Sequence, residues 1–241
     1  MREFLRAVTR ARPAGAKFEG VVVYSPRQLV PSLLQYDAPP FGPSFMALRE
    51  RCLFTLRVVT LMRGGSAWSV RRSSIKAVCD PIGRPIVMFH YDSKGAAANN
   101  MAHDSNYVEH LEEDTRRCDR SLCPAHLLLQ LRDVVERLDR EEHDRLFTSE
   151  IGAALSVNSV RTLMSKLLRR AQVAPVFTSH SLRMSSSVTL KLLGVADQDV
   201  CVRAGWHTGT ASSTRSRHYL YGRGVRDNFA RLLLLPGRDS S

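Results

Sequence analysis

The sequence predicts an α+β fold, mostly helical, with one small three-stranded antiparallel sheet. Only three short segments read as strands: KAVC (76–79), IVMFHY (86–91) and NYVEHL (106–111), with turn-forming residues at Asp80–Pro85 and Asp92–Gly95. Nearly every other patterned stretch has the periodicity of a helix. At 241 residues and 44% hydrophobic, the chain can bury a substantial core.

The elements follow in order. The first 36 residues are poorly patterned and end at the loop DAPPFGPS (37–44). The run FMALRERCLFTLRVVTLM (45–62) reads as an apolar helix, with Gly64 and Gly65 expected to break it. After the three strands, Pro124 opens a helix to about Leu138, and a second runs from Ser156 to about Ala171. A third lies in FTSHSLRMSSSVTLKLLG (177–194), capped by Thr178 or Ser179 and ended by Gly194, with Leu182, Val188, Leu190 and Leu192 as its buried face. Helices at Ala196–Arg203 and Val225–Leu235 complete the chain. The expected division is an N-terminal segment or linker (1–44), one domain (45–235) and a tail (236–241).

The net charge of +12 points to a polyanionic partner, and its distribution sharpens that reading. Residues 151–220 carry nine Lys or Arg against two acids, a net +7, whereas residues 104–150 carry thirteen acids against seven Arg, a net −6. A basic face in the C-terminal half and an acidic, solvated segment before it are expected. The helix RTLMSKLLRR offers Arg161, Lys166, Arg169 and Arg170 to phosphates. No apolar run is long enough for a membrane span. Five cysteines, an odd count, argue against a disulfide framework and for an intracellular, reducing compartment: the nucleus if the source is eukaryotic, otherwise the cytoplasm.

Several residues are candidates for chemistry. His180 and Arg183 stand one turn apart near a helix start, an arrangement suited to a phosphate because the guanidinium can bond two oxygens and the helix N-terminus adds positive potential. Arg63 ends an apolar run, aimed outward rather than buried, and Lys94 sits in a turn after a strand, where a mobile ammonium can donate a proton. The stretch VRAGWHTGTASSTRSRHYLYG offers Trp206, His207, Tyr219 and Tyr221. His110, Cys118, Cys123 and His126 are spaced by eight, five and three residues, which fits no standard zinc finger, and Pro124 already explains that region as a helix start. Neither a metal nor a cofactor is expected.

Taken in order, Arg63, Lys94, the H-x-x-R pair His180 and Arg183, Trp206 in AGW and Tyr219 in HYLY resemble the catalytic domain of the tyrosine recombinase, or phage integrase, family, over roughly Phe45 to Tyr221. Trp68, Val70 and Ile75 fall at apolar positions of that family, and Cys123, Pro124 and Leu127 resemble the CP..L helix start of recombinases from eukaryotic mobile elements. Ser66 replaces the family's usual Glu and Ser74 its frequent Asp. The thirteen residues from Trp206 to Tyr219 exceed the family's usual interval, and Tyr221 stands in place of its final His and competes as nucleophile. Residues 1–44 are too few for the separate core-binding domain of that family and are expected to be its remnant or a linker.

The resemblance implies strand cleavage and rejoining of double-stranded DNA through a 3′-phosphotyrosine. Arg63 and Arg183 would clamp the non-bridging oxygens, His180 and Trp206 would add hydrogen bonds, Lys94 would protonate the leaving 5′ oxygen, and Tyr219 would be the nucleophile. It also implies a homo-oligomer on DNA. The apolar run Phe229–Leu235 is expected to pack either on its own core or on a neighbouring protomer. Two other readings stay open: topoisomerase IB-like relaxation of DNA, and a DNA-binding remnant of a mobile element that no longer cuts.

Overall fold

The computed structural model describes residues 25–34, 44–92, 104–112, 118–138, 143–171, 179–204 and 229–235. A helical turn, Pro26–Leu29, leads into α1 (Val30–Leu34). Then come α2 (Phe45–Thr60), α3 (Gly64–Trp68), β1 (Lys76–Cys79), β2 (Pro85–Tyr91), β3 (Asp104–Glu109), α4 (Pro124–Leu138), α5 (Val157–Arg170), α6 (Ser179–Leu192), α7 (Asp197–Ala204) and α8 (Phe229–Leu234). The expected α+β class, helix-rich with one three-stranded antiparallel sheet, is what the chain adopts.

Helix α2 is the axle of the core. Ser44 caps it by accepting from the Ala47 N–H, and every residue from Ala47 to Thr60 is buried. A helix wrapped on all sides must satisfy its polar residues internally. Arg49 donates to the Thr148 carbonyl at 2.6 Å and Arg51 to that of Leu33 at 3.1 Å, while Thr55 bonds back to the Arg51 carbonyl at 2.8 Å. The helix ends because Leu61 takes the left-handed conformation at φ 53°. This corrects the expectation that Gly64 and Gly65 break it: they begin α3, with Arg63 as the residue before its first turn. The Trp68 indole N–H donates to the Leu155 carbonyl, and the Arg145 guanidinium stacks 4.4 Å over its ring, so tertiary anchors hold this Gly-Gly turn helical.

The sheet has the order β1-β2-β3, antiparallel throughout, with Ala77 opposite Val87 and Val87 opposite Val108. The β1–β2 turn is fixed by Asp80, whose carboxylate accepts from the Ile82 and Arg84 N–H groups at 3.0 and 2.9 Å and from the Arg84 guanidinium at 2.8 Å. Gly83 supplies the positive φ that the turn requires. The third strand starts two residues before the expected NYVEHL, since Asp104 and Ser105 continue the ladder opposite Tyr91 and His90, and it ends at Glu109, opposite Ile86.

Helix α4 spans the expected residues and buries Ala125, Leu127, Leu128, Leu131 and Val135. In α5, Ser156 caps by accepting from the Ser159 N–H at 3.0 Å, and Val160, Met164, Leu167 and Leu168 form the inward stripe. Helix α6 ends at Gly194 (φ 85°), whose N–H bonds to the Lys191 carbonyl while that of Val195 bonds to Leu190, both at 3.0 Å. This is a Schellman stop, closed by the buried Val195 and Leu190 side chains. Its buried face differs from the expected one: Leu182 and Leu190 are inside, but Val188 is half-buried and Leu192 is 43% exposed. Ser185, Ser186 and Ser187 are buried instead. The Ser186 and Ser187 hydroxyls are satisfied by the carbonyls four residues back, which lets small polar residues occupy the close-packed side.

One buried residue joins four elements. The Arg203 side chain in α7 donates to the Val59 carbonyl in α2 at 3.0 Å and to Glu109 in β3 at 3.3 Å. Its guanidinium lies 4.2 Å from the Tyr107 ring centre and 5.6 Å from that of Phe229 in α8. Of the two places expected for the C-terminal apolar run, its own core is the one observed: Phe229, Ala230, Leu233 and Leu234 are all at most 1% exposed, and Arg27 reaches across to the Leu232 carbonyl at 2.6 Å.

Candidate functional site

Five elements from three separate stretches of sequence meet at a cleft of about 500 Å³. The end of α2 contributes Arg57, the start of α3 contributes Arg63, Gly64, Gly65 and Ser66, and the start of α6 contributes His180 and Arg183. Val157 and Arg161 line it from the first turn of α5, and Asp92 from the end of β2. Arg63, His180 and Arg183, named from sequence, thus come together with Arg161 on one surface.

Their environments differ. Arg63 and His180 are exposed, each at a helix start. Arg183 is only 4% exposed and donates to the carbonyl of Ala204, the last residue of α7, so its guanidinium is oriented by the backbone of a second helix. Arg57, absent from the sequence reading, is 2% exposed; burial pushes its guanidinium down to about 10, and the positive charge of Arg183 adds to that shift. The two arginines place like charges side by side at the cleft and raise its positive potential. A lone arginine inside the apolar run TLRVVTLM was the sequence signal for it.

Asp92 is the acid at this cleft, and its charge is shared by Arg71 at 3.1 Å and Arg145 at 3.0 Å. Burial opposes its ionisation, but hydrogen bonds from Arg145 and then Arg71 outweigh that and hold the carboxyl below its usual range. The same Arg145 packs on Trp68, so the acid helps to fix α3 rather than to neutralise Arg63.

The remaining predicted residues are distributed as follows. Lys94, Trp206, Tyr219 and Tyr221 lie outside the described residues. On α5, Lys166 and Arg169 are exposed, whereas Arg170 turns inward onto the buried Glu50 and is less available to a ligand than expected.

A second cluster brings together the four residues whose sequence intervals fit no standard zinc finger. His110, Cys118, Cys123 and His126 each bring a ligating atom within 4.8 Å of all the others. A hydrogen bond with Cys123 favours ionisation of the Cys118 thiol, with burial opposing and His110 assisting, while burial lowers His126 and favours its neutral form. None of the four lines the arginine cleft.

No family model matches the sequence, and no curated protein matches it. Among solved structures, the chain is similar to the XerH site-specific recombinase in a post-cleavage complex with palindromic difH substrate, at TM-score 0.53 and 18% identity over 82% of this chain and 48% of that one. The pre-cleavage XerH–difH complex gives TM-score 0.52 and 18% identity over 80% and 47%. A Flp recombinase–Holliday junction complex gives 0.49 and 16% over 88% and 48%. The chain spans about half the length of these structures. Its fold is that of a tyrosine recombinase catalytic domain. Among the described residues no helix is long and apolar enough to cross a membrane.

Proposed function

We propose that this chain cuts and rejoins double-stranded DNA through a covalent 3′-phosphotyrosine, acting as a tyrosine recombinase. The observation that carries the reading is the convergence of Arg63, His180 and Arg183, drawn from two helices more than a hundred residues apart in sequence, on one cationic cleft in a fold shared with XerH.

In this reading the Tyr219 phenol attacks phosphorus, and the five-coordinate transition state gains negative charge that Arg63 and Arg183 absorb through paired hydrogen bonds, with Arg57 deepening the positive potential behind them. His180 accepts the phenolic proton. The bond from phosphorus to the 5′ oxygen breaks, and Lys94 supplies the proton that the departing oxygen needs. Attack by a second 5′ hydroxyl on the phosphotyrosine regenerates the phenol, so strands exchange without a nucleotide cofactor. Lys94 follows the cleft-lining Asp92 by two residues, and Trp206 follows Ala204, whose carbonyl holds Arg183, also by two. Arg161 at the cleft and the exposed Lys166 and Arg169 extend the phosphate-binding surface along α5. Exchange between two duplexes requires more than one active chain, hence a homo-oligomer assembled on DNA.

The test is a library of duplexes of randomised sequence, each nicked so that a cleaved strand diffuses away and traps the enzyme. The full chain should form a denaturant-resistant protein–DNA adduct. Tyr219→Phe should lose it and Tyr221→Phe keep it; a peptide map with the phosphate on Tyr221 would transfer the role. An unmodified chain that binds duplex DNA but never forms an adduct would favour a binding protein that does not cut, and relaxation of supercoiled DNA without recombination would favour topoisomerase-like action.

A further inference from the structure

We propose that His110, Cys118, Cys123 and His126 form a structural zinc site that fastens the end of β3 to the start of α4. The inference goes beyond the DNA-cleavage reading and uses none of its residues.

The ligands are supplied by rigid local structure. His110 is the first residue after β3, held by the Ile86↔Glu109 end of the ladder. Between the two cysteines, Asp119 makes a tight turn: its carbonyl accepts from the Leu122 and Cys123 N–H groups at 3.2 and 2.8 Å, and its carboxylate from the Ser121 N–H at 2.9 Å. That turn brings Cys118 back beside Cys123. The Cys123 carbonyl accepts the N–H of Leu127 at 2.9 Å, which makes Cys123 the residue that opens α4 and places His126 one helical turn further along. A strand end, a turn and a helix start therefore set the intervals of eight, five and three, which no consecutive finger would show.

The geometry fits the ion. Zn–S bonds of about 2.3 Å and Zn–N bonds of about 2.0–2.1 Å in a tetrahedron put neighbouring ligand atoms about 3.3–3.8 Å apart. Cys123 Sγ lies 3.5 Å from His110 Nδ1, and the whole set spans no more than 4.8 Å, so a contraction of about an ångström at the widest pair closes the cage. The two imidazoles meet edge to face with ring centres 4.6 Å apart. Among the described residues, His126 Nδ1 is buried with no hydrogen-bond partner, a cost that coordination of a cation would remove.

Two thiols and two imidazoles select zinc over magnesium or calcium, which favour oxygen ligands. Four protein ligands leave no open position, so the ion is structural rather than catalytic. Cys123 is fully buried, Cys118 and His110 are 5% and 9% exposed, and the half-buried His126 opens onto a second cleft of about 520 Å³ that gives the ion a way in. Cys118 and Cys123 are not joined in a disulfide.

The experiment measures metal in the full chain purified under reducing conditions without chelator. One zinc per chain is expected, and replacement by Co(II) should give the visible bands of a tetrahedral site with a thiolate charge-transfer band. Cys118→Ser and His126→Asn should each lower zinc affinity by more than the roughly 10–100-fold that losing an outer-shell partner costs, whereas Cys79→Ser, at an exposed thiol outside the cluster, should leave it unchanged. Should those variants fail to fold, the unmodified chain stripped by chelator should melt at lower temperature and recover with one equivalent of zinc but not with magnesium. A chain that holds no stoichiometric zinc and gives no cobalt bands on titration, or one purified with a Cys118–Cys123 disulfide, would overturn the proposal.

Discussion

Arg203→Met is the most exacting test of how the core is held. The Arg203 side chain is 1% exposed and its partner Glu109 10%. Methionine fills much of the same volume but leaves the Glu109 carboxylate buried without its cation, a loss of about 3–5 kcal/mol. The Val59 carbonyl also loses a donor, worth about 1 kcal/mol, so the single variant should cost about 4–6 kcal/mol. For a chain of this size each kcal/mol moves Tm by about 2–4 °C, giving a drop of roughly 8–24 °C. The double variant Arg203→Met with Glu109→Leu removes both charges and should recover at least about 2 kcal/mol of the loss, because the cost lies in the stranded acid. Urea titration and calorimetry on the four chains of this cycle give the numbers. A single-variant cost below about 1 kcal/mol, or a double variant no more stable than the single, would refute the assignment of Arg203 as the charged link between α2, β3, α7 and α8.

Arg183→Ala should abolish adduct formation on nicked DNA while duplex affinity changes by less than about tenfold, since the guanidinium acts mainly on the charged transition state; equal losses of binding and cleavage would make it a phosphate anchor only. Duplex affinity should fall steeply with salt, and Arg161→Ala should flatten the log–log slope by about 0.9, the signature of one lost phosphate contact in filter binding or anisotropy. The hydrogen bonds from Arg84 and Ile82 outweigh burial and hold Asp80 below its ordinary carboxylate range. The stability it contributes is fully present above the unfolded value of about 3.9 and is lost as pH falls through the lower folded value. Asp80→Asn should therefore lower stability at neutral pH and reduce its slope in acid, and unchanged acid unfolding would contradict this. Gly194→Ala places a side chain in open space but at φ 85°, so the loss in chemical denaturation should be the backbone strain alone, about 1–2 kcal/mol.

What the sequence revealed follows from where the forces lie. Ser156, Pro124 and Gly194 act through their own neighbours, so the limits of α4 to α6 were legible from caps and stops. The strands KAVC and IVMFHY were legible for the same reason, since Asp80 folds the turn between them within five residues. Gly64 and Gly65 misled because α3 is kept helical by Trp68 reaching Leu155, eighty-seven residues away. Leu192 misled because buried serines, satisfied by their own helix, took the place of larger apolar side chains. In the cleft, His180 and Arg183 announced themselves by spacing, whereas Arg57 is one cation in a run of hydrophobic residues and becomes visible only when α6 is laid beside it. The four cysteine and histidine ligands share no period, and only the junction of β3 and α4 brings them together.

The contact between Arg27 and Leu232 closes a loop of 205 residues. A ribosome delivers the chain from the N-terminus, and α8, which emerges after the other described helices, is the one that seats against Pro26–Leu29, α2, α6 and β3. Until then Phe229 is missing from the Arg203 junction, and the helix that presents Ala204 to Arg183 lacks one wall of its socket. Partial chains therefore lack the finished cleft, and synthesis itself times its appearance: truncated products carry the basic residues of α5 without the completed arrangement behind them.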